Sequence, residues 1–350
     1  MRIGMPLSYS GGFREAAAVI GEYEAAGLDI VFVPEAWSFD AVSQLGYLAA
    51  RTTTLQLAAG ILNVYSRTPA LLAMTAAGLD SVSEGRFTLG LGASGPQVVE
   101  GFHGVPYTAP LARTREVVDV CRQVWRRELL EHDGPHVQVP LTPERGGSGL
   151  GKPLKLVNHP VRDRIPLMLA ALGPKNVALA AELFEAWEPV FYLPERAADA
   201  FGGPLAEGTA RRDPALGPLD VVADTSLLVT EDADEAERAL RRVRQHLALY
   251  IGGMGARGRN FYNDLAVRYG FPDAAGEVQE LYLGGRQQQA AAALPDELVR
   301  GVSLVGPRGF VAERVAAFAE AGATTLNATA LGEDHPTRLA SLAVLRDLTA

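Results

Sequence analysis

Two hydrophobic rhythms alternate along the chain. Short runs in which nearly every position is apolar are separated by longer stretches with an apolar residue every three or four positions. The first rhythm suits strands covered on both faces, the second helices with one buried stripe. Asp29–Pro34 carries Ile30, Val31, Phe32 and Val33 in succession, and Leu55–Leu62 and Phe87–Leu91 read as further strands. Arg2–Leu7 alternates Ile3, Met5 and Leu7. Between these runs, Arg14–Ala26 predicts a helix with Ala17, Ile20 and Tyr23 on the face of Phe13, ended by Gly27. Asp40–Ala50 and Pro69–Ser83 are the next helices, the second with Thr68 as its cap and Pro69 at its first position. Arg113–Arg127 aligns Val117, Val118, Cys121, Val124 and Trp125.

Residues 132–164, rich in Gly and Pro, break the rhythm and predict a long excursion. Alternation resumes with strand Ile165–Ala170, helix Lys175–Glu185, strand Ala186–Tyr192, a helix near Glu195–Phe201, and strand Leu219–Thr230. Helix Asp234–Tyr250 follows. A second excursion, Gly252–Asp296, includes Gln287–Gln289 and an alanine run that predict a surface helix. Helix Phe310–Ala321, strand Thr324–Ala330 and helix Pro336–Leu348 complete the chain. Eight strand–helix units predict a single (β/α)8 TIM barrel with two insertions. A doubly wound sheet is the alternative, but no GxGxxG follows the first strand.

Composition narrows the function. A length of 350 residues suits one barrel domain, and 48% hydrophobic with 21% charged residues suits a folded one. No apolar run reaches the ~20 residues of a membrane span. The segment MRIGMPLSYSGGF lacks the apolar core of a secretory signal, and Cys121 is the single cysteine, so the cytoplasm is the expected compartment. A net charge of −9 argues against nucleic acid as partner. It leaves room for an anionic small molecule held by backbone amides. The six histidines are scattered and neither HExxH nor CxxC occurs, so no metal site is expected.

In a barrel, chemistry gathers at the C-terminal ends of the strands. After the second strand, Glu35 offers a group for proton transfer and Trp37 a stacking wall; a rim ion pair and a packed indole are the plainer reading. After the third strand, Gly60 permits a bulge beside Ile61, and Asn63, Tyr65, Ser66 and Arg67 follow. After the fourth, Ser94, Gly95, Pro96 and Gln97 form a loop of low bulk, with His103 downstream as an acid–base candidate. After the fifth, Ala170, Ala171, Leu172 and Gly173 lead into Pro174 and Lys175. That strand–turn–helix junction suits a phosphate.

These segments together resemble the luciferase-like monooxygenase superfamily, in particular its F420-dependent oxidoreductase branch of mycobacterial and actinomycete type. The resemblance is carried by AGLDIVFVPEAW, SGPQVVEG followed by PLARTRE, and GPKNVALAAE, and it spans nearly the whole chain. It implies coenzyme F420, with FMN as the alternative, lying across the C-terminal mouth. A cis peptide at Gly60–Ile61 would brace its ring, the Ser94–Gln97 loop would line the other side, and the Ala170–Lys175 junction would take the phosphate. It also implies a homodimer and a small organic substrate. Members that oxidise alcohols or sugar phosphates carry Asp-His after the second strand, where this chain has Glu35-Ala36. That departure turns the expectation toward reduction of a C=C or C=N bond. Glu35, Tyr65, His103 or water would then deliver the proton. A cofactor-binding barrel without turnover is the non-enzymatic reading.

Overall fold

The computed structural model describes residues 1–8 and 10–350. Its strands are β1 (Arg2–Pro6), β2 (Ile30–Val33), β3 (Gln56–Ala59), β4 (Phe87–Gly92), β5 (Leu167–Ala170), β6 (Ala186–Glu188), β7 (Asp220–Val229) and β8 (Thr325–Ala330). Each pairs in parallel with the next, and β8 pairs with β1, so the sheet closes into the expected barrel. Helices cover its outside. Thr68 caps helix Pro69–Val82 through Leu71 N, and Asp40 caps helix Ala41–Ala49 through Ser43 N.

Several elements depart from the hydrophobic pattern. The first helix is two, Phe13–Ala18 and Ile20–Ala25. Val19 leaves helical geometry between them, and Ile20 and Tyr23 still reach the core. The strand expected to run to Tyr192 ends at Glu188. Phe191 then turns the chain with φ 57°, and Tyr192 is apolar because it packs near Trp187 and stacks on Phe201. A ninth parallel strand, Ser303–Gly306, lies beside the far end of β7 outside the ring; its four residues are too few to announce a strand. The first excursion contains a small antiparallel pair, His132–Asp133 with Gln138–Val139. The second is largely helical: Phe261–Arg268, Pro272–Leu283, Gln287–Ala292 and, at its end, Asp296–Gly301. The helix of the alanine run is not purely superficial, since Ala290 and Ala291 are buried.

The register fixes what points into the lumen. Inward side chains of a closed parallel ring stack in layers drawn from alternate strands. Ile30, Phe32, Ala58, Met168, Ala186 and Val222 form an apolar cluster there, separate from the larger core between strands and helices. One upper layer holds Phe32, Gly90, Glu188 and Asn327. The layer above it, at the C-terminal mouth, holds Pro6, Gly60, Ala170 and Asp224. At the opposite end a cavity of about 250 Å³ is ringed by charges that pair with one another or with neighbours: Arg2 with Asp220, Arg162 with Asp80, and Arg164 with Glu185. That end reads as stabilising.

Glycine at the mouth is imposed by close approach. A Cβ on Gly90 would run into the carbonyl of Ala59, and one on Gly92 would come within 2.7 Å of Ile61 Cδ1. Gly95, in contrast, faces open space. Gly90→Ala is therefore expected to cost about 1–3 kcal/mol of stability, while Gly95→Ala stays within about 0.5 kcal/mol. Thermal or denaturant unfolding of the two variants against the parent checks this.

Candidate active site

Four consecutive strand ends, β2 to β5, carry every predicted site residue except Tyr65 and His103, which lie farther along the same loops. After β2, Glu35 does not stand free. Arg67 Nη1 and Nη2 donate to its two oxygens at 2.6 and 2.8 Å, and Ala41 N, opening the next helix, donates to Oε2 at 3.0 Å. Arg67 also donates to Ser66 Oγ at 3.1 Å. The hydrogen bonds that Arg67 donates to Glu35 are the main reason that the Arg67 pKa is raised. A bidentate pair of this kind fixes the orientation of both side chains. Two residues on, Trp37 stands 56% exposed at the rim.

After β3, Gly60–Ile61 is a cis peptide, and the chain rejoins β4 at Leu62–Asn63. Asn63 Oδ1 accepts from Tyr65 N at 2.9 Å, whereas its Nδ2 is buried without a partner. The Tyr65 hydroxyl donates to Thr108 O at 2.8 Å, and Arg113 lies 5.1 Å from the ring centroid. Burial is the main cause of the raised Tyr65 pKa. After β4, Ser94 takes φ 55° and its carbonyl accepts from Tyr107 Oη at 3.2 Å. Gly95, Pro96 and Gln97 open the short helix Pro96–Val99. His103 packs edge-on against exposed Phe102 in the following loop.

After β5, Ala170, Ala171 and Leu172 turn at Gly173 into helix Pro174–Leu183, whose N-terminus has no side-chain cap. Lys175 is exposed in its first turn. The junction opens onto a cleft of about 340 Å³ lined by Gly173, Pro174, Phe261, Asp264, Val267 and Arg268. Arg268 reaches from the second insertion to donate to Leu172 O at 2.8 Å and Ala200 O at 3.2 Å, which ties the insertion to the strand end. Burial lowers its pKa. Sequence reasoning missed Arg268, Tyr107 and Arg113, and also Glu188, Asp224 and Asn327 inside the lumen. Arg113 lies within PLARTRE, but no local motif surrounds the others. Of those, Asp224 and Asn327 alone carried a signal, being polar residues at inward positions of apolar strands.

Among the described residues, no group of three His, Cys, Asp or Glu is placed to hold a metal ion, and no helix is long and apolar enough to cross a membrane. The luciferase-like monooxygenase family model matches residues 1–325. A Mycobacterium tuberculosis protein, provisionally named a coenzyme F420-dependent oxidoreductase, is 42% identical over 98% of this chain and 99% of its own length. A 5,10-methylenetetrahydromethanopterin reductase of Archaeoglobus fulgidus is 30% identical, covering 93% of this chain and 92% of that one. The solved structure of a coenzyme F420 dependent tetrahydromethanopterin reductase from Methanopyrus kandleri superposes with a TM-score of 0.79 at 20% identity, covering 98% and 96% of the two chains. With the barrel, the matched strand ends and a family model spanning nearly its whole length, the chain belongs to the luciferase-like monooxygenase family.

Proposed function

We propose that the chain is a coenzyme F420-dependent oxidoreductase that reduces a C=C or C=N bond of a small organic substrate. The observation that carries this reading is the 42% identity, over 98% of the chain, to a protein named for that cofactor. The mouth supports it on its own terms. Asn63 Nδ2 is a buried donor with no partner among the described residues, as a ring carbonyl would require. Gly60, Gly90 and Gly92 clear the lumen below, and Gly95 and Gly173 face open space. The uncapped helix at Gly173 has Lys175 in its first turn, a setting that favours a phosphate by dipole and charge. In this reading Gly60, Ile61, Asn63 and Trp37 hold one side of the ring, and Ser94, Gly95, Pro96 and Gln97 the other. Ala170 to Lys175 hold the phosphate. When bound, the deazaflavin supplies hydride at C5; the chain binds, orients and manages the proton. Four exposed apolar residues of the first excursion, Leu150, Leu154, Val157 and Val161, suit a homodimer, and the cytoplasm is its expected compartment.

The Glu35–Arg67 pair assigns Glu35 a different part from the one its position suggests. Both of its oxygens accept from one guanidinium, so in this reading it positions Arg67 and the start of the next helix. Tyr65 has committed its proton to Thr108 O.

Three measurements test the reading. Titration of the purified apoprotein with F420 and with FMN should show tight binding of F420; firm FMN binding with none of F420 would sink it, and oxygenase chemistry would replace it. Gly173→Asp puts a carboxylate where the phosphate should lie, so F420 affinity should fall at least about tenfold, or 1.4 kcal/mol, at unchanged Tm. Unaltered affinity would move the anion elsewhere. Glu35→Gln, which removes the ion pair, should lower kcat by up to about tenfold without moving the pH profile of reduction. A displaced profile would return proton transfer to Glu35.

A further inference from the structure

Two carboxyl groups face the barrel lumen, and among the described residues neither forms an ion pair. Glu188 ends β6, and Asp224 lies midway along β7 in the layer of Gly60 and Ala170. One amide serves both. Asn327 Nδ2 on β8 donates to Asp224 Oδ1 at 2.7 Å and stands 3.4 Å from Glu188 Oε1. The amide's own Oδ1 is buried and unpartnered, and Asn327 is only 3% exposed, so an acceptor inside the cluster awaits a hydrogen-bearing group. Glu188 is sealed at 6% exposure, whereas Asp224 as a residue is less completely covered.

Among the described residues, the other strands offer no relief: the inward positions that share these two levels are Pro6, Gly60 and Ala170 with Asp224, and Phe32 and Gly90 with Glu188, all apolar or glycine. Val222 and Ala186 lie below the two acids on their own strands, and Thr325 below Asn327. The nearest charges along β7 and β1 are Asp220 and Arg2, which pair with each other at the N-terminal end. Two carboxylates beside one amide in such a lumen cannot both ionise cheaply, and at least one keeps its proton. Burial, reinforced by Asp224, raises Glu188 well above the usual carboxylate range, and burial raises Asp224 to about 7.

We infer that Asp224 is the proton donor of this active site, held in its protonated form by the lumen and flanked by a neutral Glu188. The inference rests on the functional reading above. When bound, reduced F420 would supply hydride, with its two electrons, to one end of a C=C or C=N bond and release its remaining ring proton to solvent. At the other end the π pair takes the proton of Asp224 as its O–H bond breaks, so the substrate gains two electrons and two hydrogens. Asp224 is left a carboxylate that solvent at the mouth reprotonates.

The first test needs no cofactor. Infrared difference spectra of the apoprotein carrying ¹³C-carboxyl aspartate should show a protonated aspartate at pH 6 that titrates near pH 7. The band should persist in Glu188→Gln and vanish in Asp224→Asn. Stability gives an independent reading. A carboxyl raised in the folded state stabilises below its unfolded pKa near 4 and loses that contribution as pH rises through about 7. The parent should therefore lose Tm across that window, and Asp224→Asn should lose less. In turnover with F420, kcat should fall tenfold per pH unit above pH 7. Asp224→Asn should lower kcat about 100-fold or more with F420 affinity within twofold, and Glu188→Gln should keep the alkaline limb. An absent aspartate band at pH 6 overturns the proposal whatever the cofactor. Normal kcat in Asp224→Asn, or a band lost in Glu188→Gln alone, overturns Asp224 as donor while F420 dependence stands. Binding of FMN in place of F420 overturns the functional reading, and the infrared titration is scored apart from it.

Discussion

A ring of eight parallel strands has little interior, and every inward side chain takes space from the others. This chain fills the lumen from Ile30 up to Phe32 and then stops filling it. Gly90 is level with Phe32, and above stand Gly60, Gly92 and Ala170. Gly90 is forced by the carbonyl of Ala59 and Gly92 by the side chain of Ile61, so the bare mouth follows from how closely β3 and β4 approach after Gly60. A flat floor over an apolar plug accepts a planar ring. The polar groups that would orient it, Asn63 at one edge and the Gly173 helix terminus at the other, lie on the strand ends to either side of β4.

Acidic residues near this floor illustrate how environment divides one chemistry into two. Glu35 at the rim meets Arg67 in a bidentate pair. Glu188 and Asp224 in the lumen meet only Asn327 and each other, and their proton affinity rises. Separating titratable groups in this way assigns them different duties at one pH.

Much of the frame was legible because it is written in contiguous residues. The apolar runs gave the strands, Thr68-Pro69 the start of a helix, and the glycines after β3, β4 and β5 the cleared strand ends. What escaped has a common cause. Ser303–Gly306 is too short for periodicity to register, and Tyr192 is apolar for tertiary reasons although its backbone is not in a strand. Arg268 acts on Leu172 across 96 positions, and Asp224 meets Asn327 across 103. Only closure of the ring brings such pairs together. The partner of Glu35 was singled out as polar, yet nothing in the sequence showed that the two side chains would meet.

The two insertions and the ring then carry separate burdens. The second insertion supplies Phe261, Val267 and Arg268 to the cleft beside Gly173, so the walls vary with segments on which barrel closure does not depend. The floor cannot vary in that way, because each of its positions is packed against another strand. A proton source built on the floor is thus independent of whatever the walls admit. No histidine follows β2, Arg67 holds Glu35, and Thr108 holds Tyr65. Asp224, in the uppermost inward layer of the ring, is the acid whose surroundings retain a proton.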